Sequence, residues 1–432
     1  MNLSAIIFMI LTMLGAVLLA VRMFDGNPER LEPERDADGL ELPLLRFHKP
    51  GKLTGADLIP MLAITLAAAL LAFLNLGDTK GVTSWHTFRS PGEKAELILP
   101  EETELGQIGY YSGATVGSYR LAWSADGETW TEETLEQSYT DVLKWHYFRP
   151  AESFGKVRRV RITALRGDLT LGEVALWDAR GNRLDYLCET LGICDEQDVV
   201  PAEESWRNSC YFDEIYHART AWEHLAGHKV YEITHPPLGK EIIGLGIRIF
   251  GMTPFGWRFS GALFGVLLLP ILYILLKLML SSTMAATCAT AVFGLDFMRF
   301  TQTRISTIDT YSVFFTLLMY FFFYLYYTQP WDTPLRRTLV PLCLSGAAFA
   351  LGVVSKWTCV FAGGGLAVLW ALRQGERLRR RGFREELTAY FLPTVAWSCV
   401  FFLLFPALAY YLAYAPYAGP RECPCAAWII SS

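Results

Sequence analysis

The stretch Tyr211–Lys240, YFDEIYHARTAWEHLAGHKVYEITHPPLGK, separates two parts of the chain that have different patterns. Before it, residues 80–200 alternate between apolar and polar positions, and after it one long apolar run follows another. The stretch itself is polar, holds the adjacent carboxylates Asp213 and Glu214, and ends in the sequence HPPLGK at 235–240. A polar segment that leads into membrane spans is a place where a membrane enzyme can hold its chemistry, at the boundary between water and lipid.

Composition indicates an integral membrane protein. The 432 residues are 52% hydrophobic and 19% charged, with a net charge of −5 and a mean hydropathy of +0.26, whereas soluble domains have about 25% charged residues. This charge gives no reason to expect a nucleic-acid partner. Cys188 and Cys194 either pair, if their loop faces an oxidising compartment, or remain free thiols, and both alternatives stay open.

Two membrane spans are predicted before residue 78. Leu3–Val21 is long enough to cross a bilayer, and it lacks the basic start and cleavage site of a signal peptide, so we expect a retained helix. The second span runs from about Leu58 to Leu76. Residues 22–56 between them are predicted to be cytoplasmic because they are rich in basic residues. The basic residues are Arg22, Arg30, Arg35, Arg46, Lys49 and Lys52.

Residues 78–200 are predicted to form an extracytoplasmic β-sandwich, because their alternation has a period of two and turn signals such as Asp126-Gly127 interrupt it. The sequences Tyr119–Trp130 and Leu171–Trp177 resemble the discoidin (coagulation factor 5/8 type C) jelly roll. That resemblance implies a domain that binds a glycan or a membrane surface. A role as a spacer is the alternative.

Residues 201–256 are predicted to be an external loop that carries the Asp-Glu and HPPLGK motifs, with an interfacial helix at Lys240–Phe250. A bundle of helices follows over residues 257–414, and residues 415–432, with Cys423 and Cys425, are expected to be an external tail. Basic residues in alternate connections, above all in Arg373–Arg384, agree with this orientation. The predicted spans are Trp257–Leu280, Thr283–Phe300, Ile305–Tyr327, Leu339–Val354, Thr358–Leu372 and Leu387–Tyr414.

Several charged residues lie at the predicted outer ends of these spans, on the same side as Asp213 and Glu214. Charges beside spans are costly, so their shared side favours a functional site. Interfacial snorkelling of each one separately is the alternative. The residues are Arg258, Asp296, Arg299, Arg304, Asp309 and Lys356.

The motifs resemble those of the protein O-mannosyltransferase family, which transfers mannose from a polyprenyl phosphate to Ser or Thr. The resemblance covers about residues 205–415. It lies in Phe212-Asp213-Glu214, His235–Lys240, Trp257–Ser260, Arg304–Asp309 and Gly352–Trp357. It implies a mostly α-helical multi-pass membrane protein of the C-type glycosyltransferase fold in the cell membrane, with the β-sandwich and the active site on the extracytoplasmic face.

The resemblance also implies roles for single residues. Asp213 is the candidate base for the acceptor hydroxyl, and Glu214 orients the acceptor or the loop. Polyprenyl-phosphate mannose is the expected donor and an exported protein the expected acceptor; no cofactor is expected. No cluster of metal ligands stands out, so no metal is expected. Lys240, Arg258, Arg304 and Lys356 are candidates for the donor phosphate, and His235, Pro236, Pro237 and Asp309 for positioning loops.

The chain departs from the family pattern in two ways. The β-domain stands where the family has a short link, and the chain stops where family members continue with an external loop and further helices, which predicts a truncated end. Two alternatives therefore remain beside protein mannosylation. One is a transferase of the same fold that acts on a lipid or a cell-wall glycan. The other is an inactive scaffold that displays a glycan-binding β-domain.

Overall fold

The computed structural model describes Ile7, residues 50–190 and residues 192–414. These residues form two compact units. The β unit consists of Asn75–Glu223 and Ile243–Phe259, and the helical unit contains the other described residues.

Some predictions fall on other parts of the chain. The predicted first span apart from Ile7, most of the predicted cytoplasmic segment 22–56, and the tail with Cys423 and Cys425 lie outside the described residues. Their placement stays a prediction.

The described part of the β unit contains nine strands that pair antiparallel. The strands are β1 (His86–Phe88), β2 (Lys94–Ser112), β3 (Gly117–Ser124), β4 (Thr131–Gln137), β5 (Trp145–Phe148), β6 (Lys156–Ala164), β7 (Leu169–Asp178), β8 (Arg183–Leu184) and β9 (Leu187–Cys188).

The long strand β2 belongs to both layers of this unit. Its first half pairs with β6 and β9, and its second half pairs with β5 and β7, with an irregularity between Ile98 and Thr103. Apolar side chains from both halves and from β6 and β7 form one buried core. The alternation seen in the sequence therefore correctly predicted an antiparallel β region, because successive side chains of a strand point to opposite faces. The discoidin resemblance stays a prediction.

Cys188 and Cys194 are both free thiols in the structure. Each thiol lies against the carbonyl oxygen of Thr190, at 3.7 Å for Cys188 and 3.3 Å for Cys194. Burial, together with the neighbouring Cys188 thiol, raises the pKa of Cys194. A raised pKa lowers the fraction of thiolate, which is the form that reacts in disulfide exchange.

A buried carboxylate in β7 holds the segment that follows the last strand. Glu173 is fully buried. Its carboxylate accepts hydrogen bonds from the backbone N–H of Glu196, at 2.9 Å, and from the side-chain amide of Gln197. Burial raises the pKa of Glu173 to about 7, assisted by the charges of Asp195 and Glu196 and opposed by these two hydrogen bonds.

This raised pKa predicts a pH dependence for the β unit. Between the ordinary pKa of 4.5 and the folded pKa of about 7, the folded state holds a proton that the unfolded state has lost, so stability falls as pH rises through this window. We expect the hydrogen-exchange protection of β7, corrected for the pH dependence of the intrinsic exchange rate, to decrease from pH 4.5 to pH 7. Glu173→Gln should flatten that decrease, and an unchanged slope in the variant would contradict the assignment.

One described helix, α1, precedes the β strands, and the other nine come after them. They are α1 (Gly55–Phe73), α2 (Glu214–Ala226), α3 (Leu238–Phe250), α4 (Pro254–Leu280), α5 (Thr283–Leu295), α6 (Phe297–Arg304), α7 (Asp309–Tyr327), α8 (Leu335–Ser355), α9 (Cys359–Arg381) and α10 (Phe383–Tyr414).

Among the described residues, five helices are long and apolar enough to cross a membrane: α1, α4, α7, α8 and α10. Within the helical unit, α7 packs along α8, where the Ser345 hydroxyl donates to the carbonyl oxygen of Met319 at 2.9 Å. A side chain at Gly346 would meet Phe401 at 2.6 Å, so the glycine permits the close approach of α8 and α10. The prediction of a mostly helical multi-pass protein is confirmed.

Two predicted spans differ from the structure. The span predicted at Thr283–Phe300 is broken into α5 and α6 at Asp296, whose side chain accepts the backbone N–H of Arg299 and caps α6. The span predicted at Thr358–Leu372 is part of α9, which continues through the basic residues to Arg381 and is not among the five apolar helices. The side of the membrane on which each loop lies stays a prediction.

Candidate active site

In the β unit, Glu214 and Arg258 form a fully buried ion pair. Glu214 is 0% exposed and Arg258 is 1% exposed. The guanidinium donates through Nε to Oε1 and through Nη2 to Oε2 of Glu214, both at 2.6 Å. This bidentate geometry is the strong form of an arginine–carboxylate contact. Glu214 begins α2 and Arg258 lies in the first turns of α4, so the pair joins two segments that are 44 residues apart.

Arg258 also fixes the chain that precedes the Asp-Glu motif. Its Nη1 donates to the carbonyl oxygens of Leu76 and Trp206, and its Nη2 donates to that of Ser209. Together with the two bonds to Glu214, these contacts involve each nitrogen of the guanidinium. Arg258 was predicted to bind phosphate, but in this structure its N–H donors are hydrogen-bonded to acceptors of the protein itself.

Asp213 lies at the start of α2, next to the anchored Glu214. It is half-buried, and its carbonyl oxygen accepts the N–H groups of Tyr216 and His217 at 3.0 and 3.1 Å. The preceding residue, Phe212, has a φ of 54°, a left-handed conformation that is strained for a bulky side chain and that often occurs at functional sites. The backbone N–H of Tyr211 donates to Glu214 at 2.8 Å. Tyr211 and Phe212 remain exposed.

In the helical unit, the HPPLGK loop is organised around Glu232. The Glu232 carboxylate pairs with the ammonium of Lys240 and accepts hydrogen bonds from the N–H groups of Thr234 and His235. Lys240, which is 1% exposed, also donates to the carbonyl oxygens of Glu232 and His235 at 2.8 and 3.2 Å. Burial raises the pKa of Glu232, but the bonds from Lys240 and Thr234 outweigh it and lower that pKa to about 2.

Gly239 brings three of the predicted motifs together in the helical unit. A Cβ at this position would lie 2.8 Å from the Cγ2 and 2.9 Å from the Cβ of Ile308, and 3.5 Å from the carbonyl oxygen of Ser355. Ile308 immediately precedes Asp309, and Ser355 immediately precedes Lys356. The glycine of HPPLGK is therefore required by close packing rather than by an unusual backbone angle.

Asp309 and Lys356 form an ion pair beside this contact. The Lys356 ammonium lies 2.6 Å from Oδ1 of Asp309, and the two side chains are 22% and 47% exposed. Arg304 ends α6; its Nη2 donates to the carbonyl oxygen of Leu74 at 2.7 Å, and its guanidinium lies 4.7 Å from the ring centre of Phe300. Lys240 and Lys356 are both paired with carboxylates, and the side chain of Lys356 is the more exposed of the two.

The predicted residues are divided between the two units. Asp213, Glu214 and Arg258 belong to the β unit, and the remaining predicted residues belong to the helical unit. Glu232 is a central residue that the sequence reasoning missed; its signal was a carboxylate three residues before His235. In the described part of the chain, no group of three or more His, Cys, Asp or Glu side chains is placed to hold a metal ion, and the expectation of no metal stays a prediction.

Breaking the buried pair should strongly destabilise the β unit. Arg258→Ala leaves the Glu214 carboxylate buried without its counter-ion, which costs about 3–5 kcal/mol. We expect a lower melting temperature and loss of hydrogen-exchange protection in residues 206–214. The double variant Glu214→Gln/Arg258→Met removes both charges and should recover a large part of that loss. Equal destabilisation by the single and double variants would contradict this account.

Packing at Gly239 should not tolerate a methyl group. Gly239→Ala places a carbon 2.8 Å from Ile308, and overpacking of this kind costs about 1–3 kcal/mol. We expect a lower melting temperature in detergent and a displaced Asp309–Lys356 turn. Gly364→Ala, whose added carbon meets no atom within 4 Å, is the matched control. Relief of the defect by Gly239→Ala/Ile308→Val would locate the clash, and a wild-type melting temperature for Gly239→Ala would refute it.

Sequence comparisons match the helical part of the chain to known proteins. The family described as dolichyl-phosphate-mannose-protein mannosyltransferase matches residues 234–410. A polyprenol-phosphate-mannose–protein mannosyltransferase of Mycobacterium tuberculosis is 29% identical over 207 residues, which is 45% of this chain and 34% of the relative. One from Mycolicibacterium smegmatis is 31% identical over 112 residues, which is 24% of this chain and 22% of the relative.

A solved structure was also found. The S. cerevisiae protein O-mannosyltransferase Pmt1-Pmt2 complex bound to the sugar donor is 18% identical, with a TM-score of 0.42, over 48% of this chain and 30% of that chain. This chain spans about a third of the length of the M. tuberculosis relative, and the family match begins after the last β strand. Residues 234–410 of the chain are therefore similar to the dolichyl-phosphate-mannose-protein mannosyltransferase family.

Proposed function

We propose that this protein is a membrane glycosyltransferase that moves mannose from polyprenyl-phosphate mannose to Ser or Thr hydroxyls of exported proteins. The family of residues 234–410 and the named activity of the mycobacterial relatives support this proposal. The transfer is a single displacement: the acceptor oxygen forms a bond to the anomeric carbon, the bond to the phosphate oxygen breaks, and the configuration inverts.

The observation that carries the proposal is the unequal environment of the two motif carboxylates. Glu214 is committed to Arg258 and to the backbone N–H of Tyr211, so its role is to position the loop. Its neighbour Asp213 is half-buried at the start of α2 and takes the role of the base that accepts the proton of the acceptor hydroxyl. A carboxylate base of this kind contributes about 10²–10⁴-fold to a rate.

The cations of the motifs stabilise the leaving group. Phosphate already leaves readily, so a fixed positive charge near its oxygens can replace a general acid. Arg304 and the partly exposed Lys356 take this role, with Asp309 orienting Lys356. Lys240 and Arg258 are buried and bonded to protein acceptors, so they hold the two motif loops in shape. The active site is proposed to face the extracytoplasmic side of the cell membrane.

Loss of Asp213 should abolish transfer without loss of the fold. In membranes supplied with labelled polyprenyl-phosphate mannose, Asp213→Asn should lower transfer to protein by about 10²–10⁴-fold, and a cooperative melting transition checks that the variant is folded. The exposed Asp332 supplies a matched control, because Asp332→Asn makes the same chemical change. If wild type transfers no more label than Asp213→Asn, the chain is inactive and the scaffold alternative is favoured.

The acceptor is identified by a separate measurement. Mass spectrometry of exported proteins from cells with and without the gene should show loss of hexose from Ser or Thr. If label moves instead into a lipid or a cell-wall glycan, with the same dependence on Asp213, the second alternative holds. The discoidin-like role of the β unit as a glycan-binding domain stays a prediction.

A further inference from the structure

Three arginines of α9 lie on one face of that helix. Arg373, Arg377 and Arg380 are separated by four and three residues, which places their side chains in one row. Arg373 and Arg377 are only 4% and 7% exposed. Their guanidinium groups lie against aromatic rings: Arg373 is 4.5 Å from the ring centre of Trp331, and Arg377 is 3.4 Å from that of Tyr390. This arginine row is therefore largely withdrawn from water.

The positive charge of the arginine row is incompletely balanced. Arg377 donates through Nε to Glu386 at 2.8 Å, and Arg380 pairs with Glu376 at 2.8 Å. Arg373 donates to the backbone carbonyl oxygen of Gln329 at 2.6 Å, and no carboxylate among the described residues forms an ion pair with it. Of the two buried arginines, only Arg377 thus has a carboxylate partner among the described residues, and a buried charge without a counter-charge is strongly unfavourable.

One donor of the row also lacks an acceptor. Nη1 of Arg377 is buried and has no hydrogen-bond partner among the described residues. Two acceptors in the same neighbourhood are equally unpaired within the described chain, Oε2 of Glu376 and Oε1 of Gln329. A ligand that carries both an anionic oxygen and hydroxyl groups would satisfy the donor and the acceptors together, and buried polar groups normally have such partners.

The place of the row in the chain indicates the source of this ligand. α9 ends at Arg381, and the apolar helix α10 begins at Phe383, after the single residue Gly382. The row therefore lies at the end of a candidate membrane span, which is the depth of lipid headgroups. Two further exposed arginines beside the row, Arg379 and Arg381, add positive charge that attracts anionic lipids.

We propose that the arginine row binds the phosphate of an anionic phospholipid whose headgroup carries hydroxyls, as in phosphatidylglycerol. Nη1 of Arg377 donates to a phosphate oxygen, and the phosphate supplies the counter-charge that Arg373 lacks. Headgroup hydroxyls donate to Glu376 and Gln329. The bound lipid ties the turn between α9 and α10 to the membrane surface.

The test compares lipid binding by the purified full chain and its variants. After delipidation, native mass spectrometry and melting temperature are measured with phosphatidylglycerol, with phosphatidylcholine, and with inorganic phosphate alone. We expect wild type to prefer phosphatidylglycerol, with a higher melting temperature in its presence. Arg377→Gln should lower that affinity about tenfold, because it removes a charge-assisted hydrogen bond. Arg384→Gln makes the same charge change on an exposed residue and should retain the preference.

Each result decides the proposal. Equal binding of the two lipids by wild type, or equal losses in Arg377→Gln and Arg384→Gln, would overturn it, since non-specific attraction explains either result. Stabilisation by inorganic phosphate without any preference between the lipids would assign the row to a soluble anion instead. If Arg377→Gln does not yield folded protein, Arg373→Gln and Arg377→Lys repeat the measurement. A structural role alone would destabilise these variants equally in both lipids.

Discussion

The buried ion pair between Glu214 and Arg258 is the constraint on which the Asp-Glu motif depends. A carboxylate and a guanidinium withdrawn from water are tolerated only if nearly all their donors and acceptors are satisfied, and here the remaining donors of Arg258 bind the carbonyl oxygens of Leu76, Trp206 and Ser209. The backbone on both sides of Asp213 is thereby fixed. Of the two adjacent carboxylates, Glu214 holds the loop, and Asp213 is the one proposed as the base.

The helical unit uses the same principle in a second loop. Glu232 gathers Lys240 and the backbone N–H groups of Thr234 and His235, so the HPPLGK loop is held by its own charges. Close packing adds to this, because Gly239 lies against Ile308 and near Ser355. Rigid loops matter for the proposed transfer, since small errors in the placement of reacting groups are costly in rate.

The arginine row shows a different balance of charge. In the two motif loops, Lys240 and Arg258 each have a carboxylate partner. In the arginine row, Arg377 pairs with Glu386, and no carboxylate among the described residues pairs with Arg373. Aromatic rings cover these guanidinium groups and lower the local dielectric, which strengthens any interaction with an anion. Basic pockets at the ends of membrane spans bind anionic lipid headgroups, and such a headgroup is the partner proposed for the row.

The sequence by itself determined the helical membrane bundle, the antiparallel β region and the family motifs, because hydrophobic periodicity and motif spacing are local properties of a chain. It also singled out Asp213, Glu214 and Lys240. Only the tertiary structure decided that Arg258 binds Glu214 across 44 residues, that Glu232 organises HPPLGK, and that Asp296 divides a predicted span. Pairing of distant charges depends on which side chains are buried together, and burial is set by the whole fold rather than by neighbours in sequence.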